Sequence, residues 1–152
     1  MPRGERRLPA ACIALMRSAD LIIHAGDLVT PSVLRELEAL GQVAAVYGNV
    51  DDASVRQMLP LRRTIQADGA RIGVLHDGGP AWGRLHRLRR RFATVDAVVF
   101  GHSHIPFHER SPDGFQIFNP GSPTERRRAP RHTMGMAEVR AGAITFELVE
   151  LD

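Results

Sequence analysis

The sequence predicts an α/β fold in which a parallel-rich first half is followed by antiparallel C-terminal strands, as two stacked sheets with helices outside. Up to His104, short apolar runs alternate with stretches of helical periodicity. Beyond His104, apolar runs come in pairs around turn residues. And in the first half, four apolar runs stop on metal-binding residue types, at Gly26-Asp27, Gly48-Asn49, His76 and Gly101-His102-Ser103-His104. In open α/β sheets, ligands collect outside the carboxyl ends of the strands.

Taken in order, Leu8 to Ala19 reads as a helix with Leu8, Cys12, Leu15 and Ala19 on one stripe. Leu21-Ile22-Ile23 is the strand that runs into His24 and Asp27. Thr30-Pro31 starts a helix, with a hydroxyl at the N-cap and proline in the first turn. Val33, Leu34, Leu37 and Leu40 form its buried face, and Gly41 stops it. Val43 to Tyr47 is the next strand, ending at Asn49. Asp51 or Asp52 caps a short helix that ends at Pro60.

A turn at Asp68-Gly69 leads into a strand from Arg71 to His76. Ala81, Leu85, Leu88 and Phe92 mark a helix whose other side carries Arg84, Arg87, Arg89, Arg90 and Arg91, read as a solvated basic face. Val98-Val99-Phe100 is a buried strand. Phe107 to Arg110 and Phe115 to Asn119 are strands around Ser111-Pro112-Asp113-Gly114. Met134 to Arg140 and Ala143 to Leu151 form a last hairpin around Ala141-Gly142, half-buried by its alternation.

The totals bound the function. The 152 residues, 43% apolar and 24% charged, fit a single globular domain over 1–152. No apolar run approaches the roughly 20 residues that span a bilayer, so no membrane partner is expected. The N-terminus, Met1 to Arg7, is not expected to be a signal peptide, because no long apolar core follows it. Cys12 is the lone cysteine, read as a buried helix residue; it excludes an intramolecular disulfide and suits a reducing cytoplasm. Net charge is +3, and all 20 basic residues are arginine, a modest bias towards anionic substrates. A nucleic-acid partner is not indicated, since no aromatic residues interleave with the arginines. A homo-oligomer stays open.

Asp27, Asn49, His76, His102 and His104 converge if their strands share a sheet. Their mixture of oxygen and imidazole donors suits Mn²⁺, Fe or Zn²⁺ better than Mg²⁺ or Ca²⁺. His24, three residues before Asp27, is read as a satisfied core histidine that strand alternation turns to the opposite face. Ser103 is a small spacer, Asp77 can support His76, and His86, His108 and His132 are surface residues. Asn119, Gly121 and Ser122 either line the pocket or form a simple turn.

The order Gly26-Asp27, Gly48-Asn49, His76, Gly101-His102-Ser103-His104 resembles the calcineurin-like metallophosphoesterases. Gly48-Asn49-Val50-Asp51 and Asn119-Pro120-Gly121-Ser122 are similar to their small bacterial and archaeal phosphodiesterase branch. The resemblance implies a four-layer α/β/β/α sandwich and a two-metal site, with Mn²⁺, or else Zn²⁺, Fe or Ni²⁺. It implies that Asp27 bridges both metals. Asn49, His76 and His102 complete one site, and His104 belongs to the other. It further implies hydrolysis of a small phosphodiester by a metal-bridging hydroxide, with Asp27, Asn49, His76 and His102 as the catalytic set.

The family also begins with a strand ending in Asp-x-His, and no such pair precedes Asp27. As numbered, the chain is expected to have a gap in its parallel sheet and a weak or empty second metal site. Either the native start lies upstream of Met1-Pro2-Arg3-Gly4, the favoured expectation, or this is a truncated, poorly active form. Val50 stands where many larger relatives carry a histidine that protonates the leaving group. Asp51 is then a helix cap or an orienting group rather than that acid. A rival reading is a metal-poor interaction scaffold on the same fold, which resembles a retromer subunit. A metallo-β-lactamase-like enzyme ranks last, because His102-Ser103-His104 is followed by Ile105-Pro106 rather than by further ligands.

Overall fold

The computed structural model describes residues 7–152. The expectations that rest on Met1 to Arg6 lie outside the described residues.

Helix α1 (Ala10–Ser18) precedes β1 (Ile22–His24), which pairs in parallel with β2 (Val43–Ala45). Between them runs α2 (Pro31–Glu38), and after β2 comes α3 (Ala53–Met58). A second sheet has the order β3-β4-β5-β7-β6. Its members are β3 (Arg62–Ala67), β4 (Ala70–Leu75), β5 (Ala97–Val99), β6 (Phe107–Arg110) and β7 (Gln116–Asn119), with α4 (Arg84–Arg91) between β4 and β5. β4, β5 and β7 are mutually parallel, and β3 and β6 close the edges antiparallel. The final hairpin is β8 (Thr133–Arg140) with β9 (Ala143–Glu150). The fold is thus mixed α/β around a parallel-rich sheet, as the alternation of periodicities predicts.

Three apolar clusters hold these pieces. Leu88 and Phe92 of the α4 region pack on Leu75, Val98, Phe100, Phe115 and Ile117 of the large sheet. Leu34, Leu37 and Val55 from α2 and α3 pack on Leu28 and Ala45. Val46, Ile72, Val74 and Val99 meet Val139, Ile144 and Phe146, so the final hairpin covers the face of the large sheet away from α4.

Several expectations are corrected. β3 was not anticipated: Arg62 to Ala67 alternates exposed and partly buried residues, and its few apolar side chains hide an edge strand. β7 does not stay within a local hairpin but also joins β5 in parallel. Thr30 sits at the α2 N-cap without a side-chain cap bond, and its hydroxyl pairs with Ser32 Oγ at 2.8 Å. The basic side of α4 is not simply solvated. Arg84 donates to the Gly79 carbonyl and lies over the Phe100 and Phe107 rings. Arg87 donates to the carbonyls of Gly78 and Pro80, so these two guanidinium groups fasten the loop that follows His76.

β1 pairs with β2 alone and β8 with β9 alone among the described strands. Between these ribbons lies a cavity of about 1100 Å³, whose wall includes Ile23, Met134, Met136 and Phe146, and also Asp27 and His76.

Candidate metal centre

The centre is made by loops beyond the strand ends. β1 stops at His24, β2 at Ala45, β4 at Leu75 and β5 at Val99, and Asp27, Asn49, His76 and His102 follow them. β1 and β2 belong to one sheet and β4 and β5 to another, so the four residues do not converge by sharing a sheet. They converge because the sheet ends meet: His76 Nδ1 lies 2.7 Å from the Ala25 carbonyl oxygen.

This meeting demands close backbone approach. A Cβ on Gly26, which has φ +104°, would lie 2.7 Å from His76 Nδ1 and 2.9 Å from Gly48 N. A Cβ on Gly48 would collide with the Asp27 carboxylate. Asp27, Val29, His102 and His104 all have left-handed φ, at 64°, 74°, 70° and 61°. For non-glycine residues, above all a β-branched one, such a conformation costs on the order of 1–3 kcal/mol each and concentrates at functional sites.

Asp51 holds the strain at Asp27 and Val29. Its carboxylate, 6% exposed, accepts N–H bonds from Val29 at 2.5 Å, Gly48 at 2.6 Å and Asp27 at 3.1 Å. Asp51 therefore ties the loop after β1 to the loop after β2. The cap of α3 is Asp52, whose Oδ1 accepts from Val55 N at 2.9 Å.

Four donor atoms gather at the centre. His76 Nε2 is 2.8 Å from Asn49 Oδ1, 3.1 Å from His102 Nδ1 and 3.2 Å from Asp27 Oδ2. His102 Nδ1 is 3.2 Å from the same Asn49 oxygen. The Ala25 carbonyl can only accept, so Nδ1 of His76 carries the proton and Nε2 of the neutral ring presents a lone pair. That lone pair faces an amide oxygen, a carboxylate oxygen and a second ring nitrogen. A proton on Nε2 satisfies these groups one at a time, whereas a metal ion satisfies all of them together. A cation about 2.1 Å from each donor sets neighbouring donors about 3 Å apart in octahedral and about 3.4 Å apart in tetrahedral geometry, close to the 2.8–3.2 Å found around His76 Nε2. The residues fit a divalent metal.

The electrostatics agree. When a proton rather than a metal sits on His76 Nε2, the ring donates to Asp27. Burial opposes the charge on Asp27, but that hydrogen bond, the Val50 N–H and the nearby imidazoles outweigh it, and the pKa falls to about 2. Burial also opposes a charged His76, yet the hydrogen bond and charge of Asp27, helped by the Ala25 carbonyl, raise its pKa. The site thus draws positive charge to the point between Asp27 and His76.

His104 stands apart from these four donors. Its Nδ1 donates to the Glu125 carbonyl at 2.7 Å, and its ring lines the same cavity. Burial, then the charge of Arg127, lowers its pKa against the pull of that carbonyl. His24 also lines the cavity, with Nδ1 accepting from Gly26 N at 3.1 Å. Alternation does not decide its direction relative to Asp27, because β1 ends at His24 and the backbone then turns left-handed. Among the described residues, the His, Cys, Asp and Glu side chains grouped closely enough for a metal are Asp27, His76 and His102, without His24.

Asn119 is fully buried and does not line the cavity. Its Nδ2 donates to the Gly101 carbonyl and Ser103 Oγ, and its Oδ1 accepts from Gly121 N. It clasps the His102–His104 loop to the Pro120–Ser122 loop. Gly121 lines the cavity, and it also packs closely, since a Cβ there would strike Thr133 Oγ1 and Pro106. Ser122 lines the cavity, and its Oγ accepts from Thr124 N and Glu125 N. Ser103 Oγ accepts from Ile105 N, as suits a spacer; Asp77 Oδ1 accepts from Gly79 N, and its charge helps raise the His76 pKa.

The comparison with known families fits this geometry. Residues 4–142 match the calcineurin-like phosphoesterase superfamily domain. The chain belongs to this superfamily. Calcineurin-like phosphoesterases use divalent metals, the ions that the four-donor centre fits. A probable metallophosphoesterase of Methanothermobacter thermautotrophicus is 34% identical over 129 residues, 84% of this chain and 74% of that protein. The fold is shared with Vps29 from Entamoeba histolytica, at a TM-score of 0.78 and 20% identity, over 100% of this chain and 94% of that one. It is also shared with a structurally and functionally characterised archaeal phosphodiesterase, at a TM-score of 0.68 and 19% identity, over 91% of this chain and 90% of that one. The chain is thus a phosphoesterase-family hydrolase by descent. No helix among the described residues is long and apolar enough to cross a membrane.

Proposed function

We propose that this calcineurin-like phosphoesterase hydrolyses phosphodiesters, using divalent metal held by Asp27, Asn49, His76 and His102. The observation that carries the reading is the convergence of four donor atoms, each 2.8–3.2 Å from at least one other, around His76 Nε2, with the His76 tautomer fixed by Ala25. When bound, the metal supplies Lewis-acid stabilisation of phosphoryl charge and lowers the pKa of water. Asp27 and His104 would hold a second ion. Manganese suits the mixed oxygen and imidazole donors.

The chain's own residues orient this centre. The Ala25 carbonyl sets His76, Asp51 sets the Asp27 backbone, and the Val50 N–H steadies Asp27 Oδ1 at 3.0 Å. Val50 cannot transfer a proton, so the departing alcohol takes its proton from water or another acid. A diester substrate is supported by the Gly48-Asn49-Val50-Asp51 pattern, and the likeness to an archaeal phosphodiesterase fold is in keeping with it. The test compares bis(p-nitrophenyl) phosphate with p-nitrophenyl phosphate in Mn²⁺. Faster turnover of the diester supports the reading, and exclusive turnover of the monoester refutes the diester assignment.

A second reading, an interaction scaffold resembling a retromer subunit, is favoured by one observation. His104 and Asp27 are the protein ligands that the described residues offer for a second metal. If the protein binds metal but turns over neither ester, this reading takes the lead.

A further inference from the structure

We infer that Arg127 is an anion subsite of this centre, its guanidinium taking a non-bridging oxygen of the phosphoryl group. The inference rests on the phosphoester reading above. Among the described residues, Arg127 is the arginine that lines the cavity shared by Asp27, His76, His102 and His104. Its Nη1 donates to the His102 carbonyl at 2.9 Å, which uses one N–H of the five in a guanidinium. No carboxylate among the described residues pairs with it, whereas nearby Arg131 pairs with Glu150. Its backbone is left-handed, with φ 49°.

The loop that carries Arg127 is strapped to both histidines of the His102–His104 pair. The Glu125 carbonyl takes the His104 Nδ1–H, and Arg127 itself takes the His102 carbonyl. Ser122 Oγ gathers the N–H groups of Thr124 and Glu125 and so shapes the start of this loop. A positive charge without an acidic partner, fixed beside a metal centre, attracts an anion. The planar fork of a guanidinium matches the oxygens of a phosphoryl group, so a tethered Arg127 recognises that group with little ordering cost.

The test is calorimetric titration of the Mn²⁺-loaded protein with phenylphosphonate, alongside metal content and the steady-state constants for the diester. Arg127→Ala is compared with Arg127→Lys and with Arg128→Ala, a neighbouring exposed arginine. Loss of a charge-assisted hydrogen bond predicts phosphonate binding weakened about ten- to a hundredfold. KM rises with it, metal content is unchanged, Lys restores part of the binding, and Arg128→Ala behaves as wild type. Unchanged phosphonate binding in Arg127→Ala overturns the subsite and leaves the phosphoester reading intact. Binding lost only in proportion to lost metal also overturns it, showing that Arg127 merely steadies His102. A wild-type protein that neither binds phosphonate nor cleaves a phosphate ester overturns both.

Discussion

Replacing Asp51 with asparagine tests how the Asp27 loop is held. Oδ2 accepts from Gly48 N and Asp27 N, and Oδ1 from Val29 N. Asparagine must place an NH₂ group against at least one of these N–H donors. With its oxygen at the Oδ2 position, it keeps two bonds, now to a neutral acceptor, and loses the third. One lost charge-assisted bond costs about 1.5–3 kcal/mol, and weakening the other two adds about 1–2 kcal/mol. For a chain of this size, about 3–5 kcal/mol lowers Tm by roughly 6–20 °C. Asp52→Asn is the control, because asparagine caps a helix as well as aspartate does. Thermal unfolding followed by circular dichroism gives the stability, and Mn²⁺ calorimetry gives the affinity. Asp51→Asn is expected to lose both, since Asp27 no longer has a reason to stay left-handed. A Tm within a degree or two of Asp52→Asn, with wild-type Mn²⁺ affinity, would refute the reasoning.

Gly48→Ala drives a methyl group into the Asp27 carboxylate, so metal binding should fall at least tenfold while far-UV circular dichroism stays native. Burial pushes the Cys12 thiol up to about 11 and its side chain is inaccessible. An alkylating reagent at pH 8 should therefore label it only after denaturant is added. Burial, with the nearby His76, pulls His24 down to about 4 from an ordinary 6.5. The unfolded chain thus takes up the proton first as pH falls, so stability is intact above pH 6.5 and declines towards pH 4. The loss reaches about 2 kcal/mol by pH 5, and His24→Gln should flatten this part of a urea-midpoint profile.

Much of the fold was legible because its periodicities are strong. The strands that bury Val74, Val98 and Ile117 are short apolar runs, and α2 shows its face through Val33, Leu34 and Leu37. β3 was hidden because an edge strand needs few apolar residues. The residues of the four-donor centre could be read from the ends of apolar runs. The reason for their convergence could not, since it lies in the Ala25 carbonyl and two glycines that join separate sheets. Nothing in the sequence announces a left-handed Val29, because β-branched residues avoid that region. Asp51 carried a weak signal, a second carboxylate close behind Asn49, but its three backbone partners are visible only in three dimensions. Asn119 was ambiguous for a similar reason: an asparagine before proline reads as a turn or a ligand, and only its burial shows that it clasps two loops.

Metal binding by Asp27→Ala tests the central claim most directly. Wild-type protein and the variant would be stripped with chelator, titrated with Mn²⁺ and followed by calorimetry and elemental analysis, with His24→Ala in parallel. The account predicts tight Mn²⁺ binding by the wild type and by His24→Ala, and loss of binding and of diester hydrolysis in Asp27→Ala. Wild-type metal content in Asp27→Ala would contradict it.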